Sequence, residues 1–578
     1  SHHMTSMTLP TRRKALKLFA GVPLLPLGAS GAAAFLAGCG GGSDDEQAQF
    51  AAAAFTSMAA PTLANPSAMA TTSVGSALKV TMSDQSVRSF DLAYQPFFLA
   101  GDAVPDGKGG TMLAGGYYDI RNQPIVDRTV PASPRQFFSD SPDGTSLLTV
   151  PGAKVEGVKG NPAFAVVQFE YTSFAQDGIS DMYGRLPSPI AVLTLDQNPD
   201  TGKLSLVKYH NVDTSSAHGL WITCGASLSP WGTHLSSEEY EPDAFTAASS
   251  SQFKAFSQNL FGSETAANPY HYGHLPEVTV KADGTASIRK HYCLGRISHE
   301  LVQVMPDERT TLMGDDATNG GLFVFVADKA RDLSSGTLYV AKVGAGFSVN
   351  PAGPAATLTW IPLGSATSAQ IEALAGSTAP SDIFDLASKD PSDASFRKTI
   401  SNGRTEWLRL KPGMEKAAAF LETHRYAAYV GASMGFSKME GTTVNVRDKV
   451  AYSALQNVQD SMVKGGKGHT DGNGIALDQA LKAGAVMALN LRGGQKDLAG
   501  AAIQSDWMPA DTRALITGED ISADALGNTA NPNRIANPDN LKFSEKLRTL
   551  FIGEDSSQHV NNFLWAYNVD TKMLSRLM

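Results

Sequence analysis

Cysteine is scarce in this chain, three in 578 residues, and there is no excess of positive charge, with 47 Lys and Arg against 56 Asp and Glu. The charge balance argues against nucleic acid as a partner, because a phosphate backbone is held by clustered Lys and Arg and here the basic residues cluster only at the extreme N-terminus. A His-Glu-x-x-His zinc helix and a Gly-Lys-Ser/Thr phosphate loop are both missing, which removes two common routes to hydrolysis. Long regular helices are not signalled either. The 54 Gly and 30 Pro divide the chain into short segments with many turns.

What basic charge there is sits in an export-signal pattern. Ser1 to His3 read as a tag scar, followed by "TRRKALKLF", an apolar run, and "LAGC" ending at Cys39. Arg12 and Arg13 suggest the twin-arginine route, and Cys39 at the end of a lipobox-like sequence is a candidate for lipidation. The expected product is exported: periplasmic, anchored to the outer membrane, or at the cell surface. Its only membrane contact would be that N-terminal lipid. Without residues 1–38, which carry four basic and no acidic groups, the net charge changes from −9 to −13. Residues 39–77, rich in Gly, Ser, Ala, Thr and Pro, read as a flexible tether, and folding is expected from Leu78. If Cys39 belongs to the signal, Cys224 and Cys293 remain, and in an exported protein a disulfide between them is the ordinary expectation.

From residue 78 to 578 short runs of strand character follow one another, among them "FAVVQFEY", "IAVLTLD", "LFVFVA", "TLYVAKV" and "VMALNL". Three hairpins share a plan, an alternating strand, a charged turn, and a second strand ending in carboxylates or amides: "ELVQVMPDERTTLMGDD", "TTVNVRDKVAYSALQN" and "DNLKFSEKLRTLFIGED". Radial repetition of such units predicts an all-β propeller, whose inner strand ends bring acids from distant positions to one axis. Residues 413–432 are rich in helix formers and predict a helical insertion. The segments 244–269 and 501–532 read as loops.

Several acids are candidates for chemistry, each with an ordinary alternative. Glu238 and Glu239 are neighbours, so in a strand only one of them faces a site. Glu300 follows His299 at the start of an apolar strand, where a histidine is more often a turn hydrogen-bonder than a metal ligand. Asp315, Asp316 and Asn319 in "MGDDATNGG" offer hard oxygen donors suited to calcium, although Asp and Asn also favour turns for their own sake. Asp539 stands between Pro538 and Asn540 at a strand entrance. Carboxylates suit calcium or ferric iron, and a thiolate from Cys224 suits a transition metal.

The segments "CGASLSPWGTHLSSEE", "YHYGHLPEVTV", "GRISHELVQV", "MGDDATNGGLFVFVADK", "FSKMEGTTV" and "NPDNLKF" occur in the order typical of PhoX-type alkaline phosphatases, which the chain resembles from about Phe164 to its end. The resemblance implies a six-bladed propeller whose axial site holds calcium and iron and hydrolyses a small phosphorylated substrate, a phosphate monoester; a monomer is expected. It implies metal-ligand roles for Cys224, Glu239, Glu300, Asp316, Glu440 and Asp539, and for Glu170 through a partly altered motif in which Gln168 and Phe169 precede it. Lys438 occupies the place of a phosphate-binding arginine, and Ser237 that of a second cysteine. The chain ends before the family's usual closing segment, which implies a last blade that is incomplete or closed differently. Two other classes share this inventory: a non-catalytic propeller that binds a ligand or partner, and a calcium-dependent phosphotriesterase or lactonase.

Overall fold

In a computed structural model of the protein, residues 47–96 and 98–578 are described. The tag scar, the twin-arginine pattern and the lipobox ending at Cys39 lie outside the described residues. Among the described residues no helix is long and apolar enough to cross a membrane.

Six antiparallel sheets follow one another along the chain. The first has three strands (Phe50–Phe55, Ala77–Met82 and Val87–Asp91). Two four-stranded meanders come next, one running from Pro142–Leu148 to Leu204–Asn211 and one from Ser227–Leu228 to Ala286–His291. A five-stranded meander (first strand His299–Val304, last Ala356–Thr367) and a four-stranded one (Met439–Asn445 to Met508–Thr517) join edge to edge through Ala356 opposite Thr512. The last sheet runs Pro538–Ser544, Thr549–Glu554, Leu564–Asn568, Leu574–Arg576. The first strand of each of the last five sheets contributes to one cavity of about 510 Å³, through Asp143, Ser227, Leu301, Thr442 and Leu541. Inner strands gathered on a common cavity define the propeller axis.

The tether expected up to residue 77 is corrected here. Phe50–Phe55 pairs with Ala77–Met82, Phe50 opposite Met82 and Phe55 opposite Leu78. Its run of four alanines carries no alternating signal of its own, and the partner strand with fully buried Val80 supplies the apolar face. This sheet packs on the last one: Phe55 meets Phe551 edge to face at 5.5 Å, and Phe55 O accepts a hydrogen bond from Ser575 Oγ at 3.0 Å. The last sheet has four strands, so of the two expectations for the last blade, incomplete or closed differently, the first is corrected.

The loop expected over 244–269 contains a helix, Ser251–Phe261, started by Ser250 accepting a hydrogen bond from Phe253 N and ended by Gly262 at φ 76°. Phe253, Phe256 and Leu260 recur at helical spacing and bury against Trp221 and Tyr272. In the segment 413–432 the helices Glu415–Leu421 and Thr423–Tyr429 form, and they contribute Phe420 and Leu421 to the largest apolar cluster.

Candidate metal centre

Asp143, Cys224, Glu300, Glu440 and Asp539 stand at corresponding points, at the starts of the five inner strands or, for Cys224, three residues before one. The local sequences run Asp-Gly-Thr-Ser-Leu, Cys-Gly-Ala-Ser-Leu, Glu-Leu-Val-Gln-Val, Glu-Gly-Thr-Thr-Val and Asp-Asn-Leu-Lys-Phe. In the four acid-bearing strands the pairing register shifts at this point, between Pro142 and Thr145, His299 and Val302, Met439 and Thr442, and Pro538 and Leu541. A bulge re-aims the side chain it carries, and here it occurs at the acid each time. Glycine lets neighbouring strands approach: a Cβ on Gly225 would lie 2.8 Å from Glu300 Oε2, and one on Gly441 would lie 2.6 Å from Asp539 O.

The ends of second strands supply the remaining acids. Ligand atoms of Cys224, Glu239 and Glu300 lie within 4.8 Å of one another, as do those of Glu239, Glu300, Asp316 and Glu440, and all five residues are buried. Asp539 reaches Glu440, and beyond it Asp143 pairs with Glu170 while Asp555 stands close by. The structure thus brings Cys224, Glu239, Glu300, Asp316, Glu440, Asp539 and Glu170 into one acidic row, with Glu170 at its far end, whereas Asp315 faces His424 at 2.9 Å and Asn319 donates to Gly468 O. Asp143 and Asp555 are additions. Asp143 could have been found from the likeness of "DGTSL" to "CGASL" and "EGTTV", and Asp555 from its place at the end of a hairpin like the one that ends at Asp316.

The electrostatics of this row are those of an uncompensated site. Burial, then neighbouring carboxylates, raises the pKa of Glu239, Glu300, Glu440 and Asp539 well above the usual range. Glu170 is raised by burial and by Asp143. Three carboxyl pairs, Glu239 with Glu300, Glu440 with Asp539, and Asp143 with Glu170, stand within hydrogen-bonding reach, an arrangement that without cations requires shared protons. Asp316 Oδ1 is buried with no aligned hydrogen bond. Hard, buried, mutually repelling oxygens fit cations.

Cys224 and Cys293 are both free and buried, so the disulfide alternative falls away and Cys224 stays with the site. Cys224 Sγ lies 3.2 Å from His299 O and 3.3 Å from Ser237 Oγ, and its pKa is raised by burial and by Glu239 and Glu300. Gln168 fixes its backbone, donating through Nε2 to Cys224 O at 2.6 Å. Glu238 points away from the centre, accepting from Trp221 N and facing Lys290 Nζ at 3.1 Å. His299 bonds Gly295 O at 2.8 Å. The Gly-x-Ser-x-Gly spelling at Gly431–Gly435 is not a nucleophile elbow, because the buried Ser433 hydroxyl is committed to the backbone, accepting from Val343 N and donating to Asn473 O.

Lys438 stands at the mouth of the centre, in a cavity of about 410 Å³ shared with Tyr240, Asp316, Asn319, Asn402 and Lys467. Its Nζ is 2.5 Å from Asp316 Oδ1 and 3.6 Å from Glu440 Oε1. Burial would lower the Lys438 pKa, but Asp316 and Glu440 outweigh it and keep the ammonium charged.

The sequence profile of the family described as "Alkaline phosphatase PhoX" matches residues 194–572, more than half of the chain. Among solved structures, Pseudomonas fluorescens PhoX in complex with vanadate, a transition state analogue, superposes with a TM-score of 0.54 at 18% identity, covering 84% of this chain and 85% of that one. A candidate 6-phosphogluconolactonase from Bacteroides uniformis aligns over 87% of this chain and 91% of that one, at 10% identity and a TM-score of only 0.28. No protein of curated function matches. Asp143 and Glu170 precede the matched residues, whereas Cys224 and the other acids fall inside them. The chain is a phosphatase of the alkaline phosphatase PhoX family.

Proposed function

We propose that the protein hydrolyses phosphate monoesters, releasing inorganic phosphate, with calcium and iron as its cations. The observation that carries this reading is the convergence of a thiol and four carboxylates, in two overlapping sets within 4.8 Å, beside a charged lysine in an open mouth. Cys224, Glu239 and Glu300 would hold the transition metal, the thiol being the soft donor, and Asp316, Glu440, Asp539 and the Asp143–Glu170 pair would hold calcium. Bound cations supply Lewis-acid polarisation of the phosphoryl oxygens.

The chain's own groups do the rest. Lys438 draws the anionic substrate to the mouth and balances charge on the phosphoryl oxygens as the ester bond breaks. The bulged strand starts fix the acids before substrate arrives, so little reorganisation is left for the reaction. The acids Glu239, Glu300, Asp316 and Glu440 are themselves buried, which strengthens each charge interaction there. The N-terminal pattern supports a protein exported after folding and tethered through Cys39, acting as a monomer on small phosphorylated molecules outside the cytoplasm.

Elemental analysis of the purified protein together with turnover of aryl and sugar monoesters tests this. Iron and calcium with monoester turnover are expected. Absence of both metals with no activity on adding them back would sink the reading, and preference for lactones or triesters would move it to another chemistry.

A further inference from the structure

We propose that the Tyr240 hydroxyl and the Lys438 ammonium form a single two-donor clasp for the substrate phosphate, in which the tyrosine supplies the second hydrogen bond that a lysine alone cannot give. The inference rests on the phosphatase reading and assigns a substrate contact to a residue outside the acid row.

Both residues adopt the left-handed backbone region, Tyr240 at φ 47° and Lys438 at φ 53°. That conformation is costly for a side chain as large as either, and it persists only where the surroundings over-determine it. They do so here. Tyr240 N donates to Ser298 Oγ at 2.9 Å, and Tyr240 O accepts from Trp221 Nε1 at 2.9 Å. Lys438 N donates to Ala317 O at 3.2 Å, and Lys438 O accepts from Gln456 N at 2.9 Å.

The turn at Tyr240 has a stereochemical result. Along an extended strand Glu238 would point outward, Glu239 inward and Tyr240 outward again. The positive φ interrupts the alternation, so the tyrosine follows Glu239 to the mouth. There its hydroxyl lies 3.0 Å from Lys438 Nζ and donates to Asp316 Oδ2 at 2.6 Å. The ring stays 37% exposed, with the ammonium 5.5 Å from its centroid.

A guanidinium presents two parallel N–H donors to two oxygens of one phosphate, whereas an ammonium is a point charge. Two donors from separate side chains, 3.0 Å apart and facing one cavity, restore that geometry. Both now rest on the two oxygens of Asp316. Drawing those oxygens into cation coordination frees the hydroxyl and the ammonium to turn to substrate.

The test is calorimetric titration of inorganic phosphate into the metal-loaded protein, for the parent, Tyr240→Phe, Lys438→Arg and the double variant, with metal content measured for each. Tyr240→Phe is expected to weaken phosphate binding about tenfold with metal content unchanged, the scale of one hydrogen bond to a charged group. In the Lys438→Arg background the same change is expected to cost about twofold or less, because the guanidinium already provides the second donor. A loss below twofold in the parent, an equal loss in both backgrounds, or a loss that tracks falling metal content would each overturn the clasp. Failure of the parent to bind phosphate or hydrolyse monoesters would instead overturn the phosphatase reading.

Discussion

Two buried acidic groups lie next to each other in this molecule. Around Arg425, Glu406 accepts through both oxygens at 2.9 and 3.2 Å, Asp243 at 3.1 and 3.2 Å, and Glu422 at 2.9 Å, while His424 is held between Asp315 at 2.9 Å and Glu241 at 2.8 Å. Asp315 is joined by one peptide bond to Asp316, and there the compensation ends. Among the described residues Lys438 is the protein cation that pairs with the acids of the row, through Asp316 and Glu440, and it stands at their rim. Glu422 and Asp315 are as dry as the acids of the row, and Asp243 keeps only 21% of its side chain exposed, so the main difference lies in partners. Where the fold supplies counter-charge, the acids are structural; where it omits counter-charge in so dry a place, the counter-charge comes from bound cations.

The largest expected effect comes from breaking the uncompensated group. Removing metal with a chelator, or replacing Glu300 by Gln, is expected to lower monoester turnover by more than about a hundredfold, the upper range for disturbing residues that merely orient metal ligands. Circular dichroism should show the fold retained. Melting temperature without metal should not fall for Glu300→Gln, because the amide can donate to Glu239 where the metal-free carboxyl has to share a proton with it. Lost structure in the metal-free parent would erase the contrast between the two groups.

The compensated group should respond in the opposite manner. Arg425→Met leaves Glu422 buried without its cation and Asp243 and Glu406 with Arg404 alone, at 3.1 and 3.9 Å, and destabilisation by about 3 kcal/mol is expected, read from denaturant midpoints with and without metal. Metal content per folded molecule should be unchanged. A loss of metal with no loss of stability would show that the arginine network serves the centre and not the fold.

How much of this contrast the sequence revealed follows from the range of each signal. The hairpin plan ending at Asp316 and Asp555 is local, so the propeller and the convergence of strand ends could be read from alternation and turns. The two-residue period of a strand allowed only one of Glu238 and Glu239 to face a site, the resemblance singled out Glu239, and Glu238 indeed turns to Lys290. Asp143 was hidden because its strand start, "SPDGTSLL", looks like a surface turn until it is laid beside "TCGASLS" and "KMEGTTV". The strand Phe50–Phe55 was hidden because four alanines have no face of their own. Tyr240 depended on a backbone angle that no periodicity reports.

A smaller effect, in pH, separates the two groups again. Glu170 has a folded pKa raised above its ordinary 4.5, so between that value and its folded value the native state binds more protons than the unfolded one. Without metal this contribution to stability is complete below 4.5 and is lost as pH rises. His424, raised from 6.5 to about 10 by Asp315 and Glu241 against the cost of burial, loses its contribution in the same direction, but only from 6.5 upward. Metal-free protein should therefore melt at steadily lower temperature between pH 5 and pH 9. Glu170→Gln should flatten the part below pH 6.5, and loading with metal should remove the acid part and leave the histidine part. A slope unaffected by either would mean that the row does not hold the shared protons its geometry requires.

The smallest expected effect compares the two cysteines, which are equally buried and differ only in company. Cys293 Sγ contacts Leu333 O at 3.1 Å and Ser368 Oγ at 3.3 Å within the main apolar cluster, and burial raises its pKa to about 12. Nothing beside it calls for a thiolate. Cys293→Ala is expected to cost about 1–2 kcal/mol, a small cavity plus a weak hydrogen bond, with metal content intact. Cys224 is buried too, but its neighbours are Glu239 and Glu300, and Ser237 occupies the position from which a second thiol could have paired with it. Cys224→Ala should leave the metal-free melting temperature within a similar margin and lower bound iron selectively, with calcium retained. If iron survived the loss of Cys224, the softest donor of the set would have no part in metal selection, and the carboxylates alone would determine which cations the axis holds.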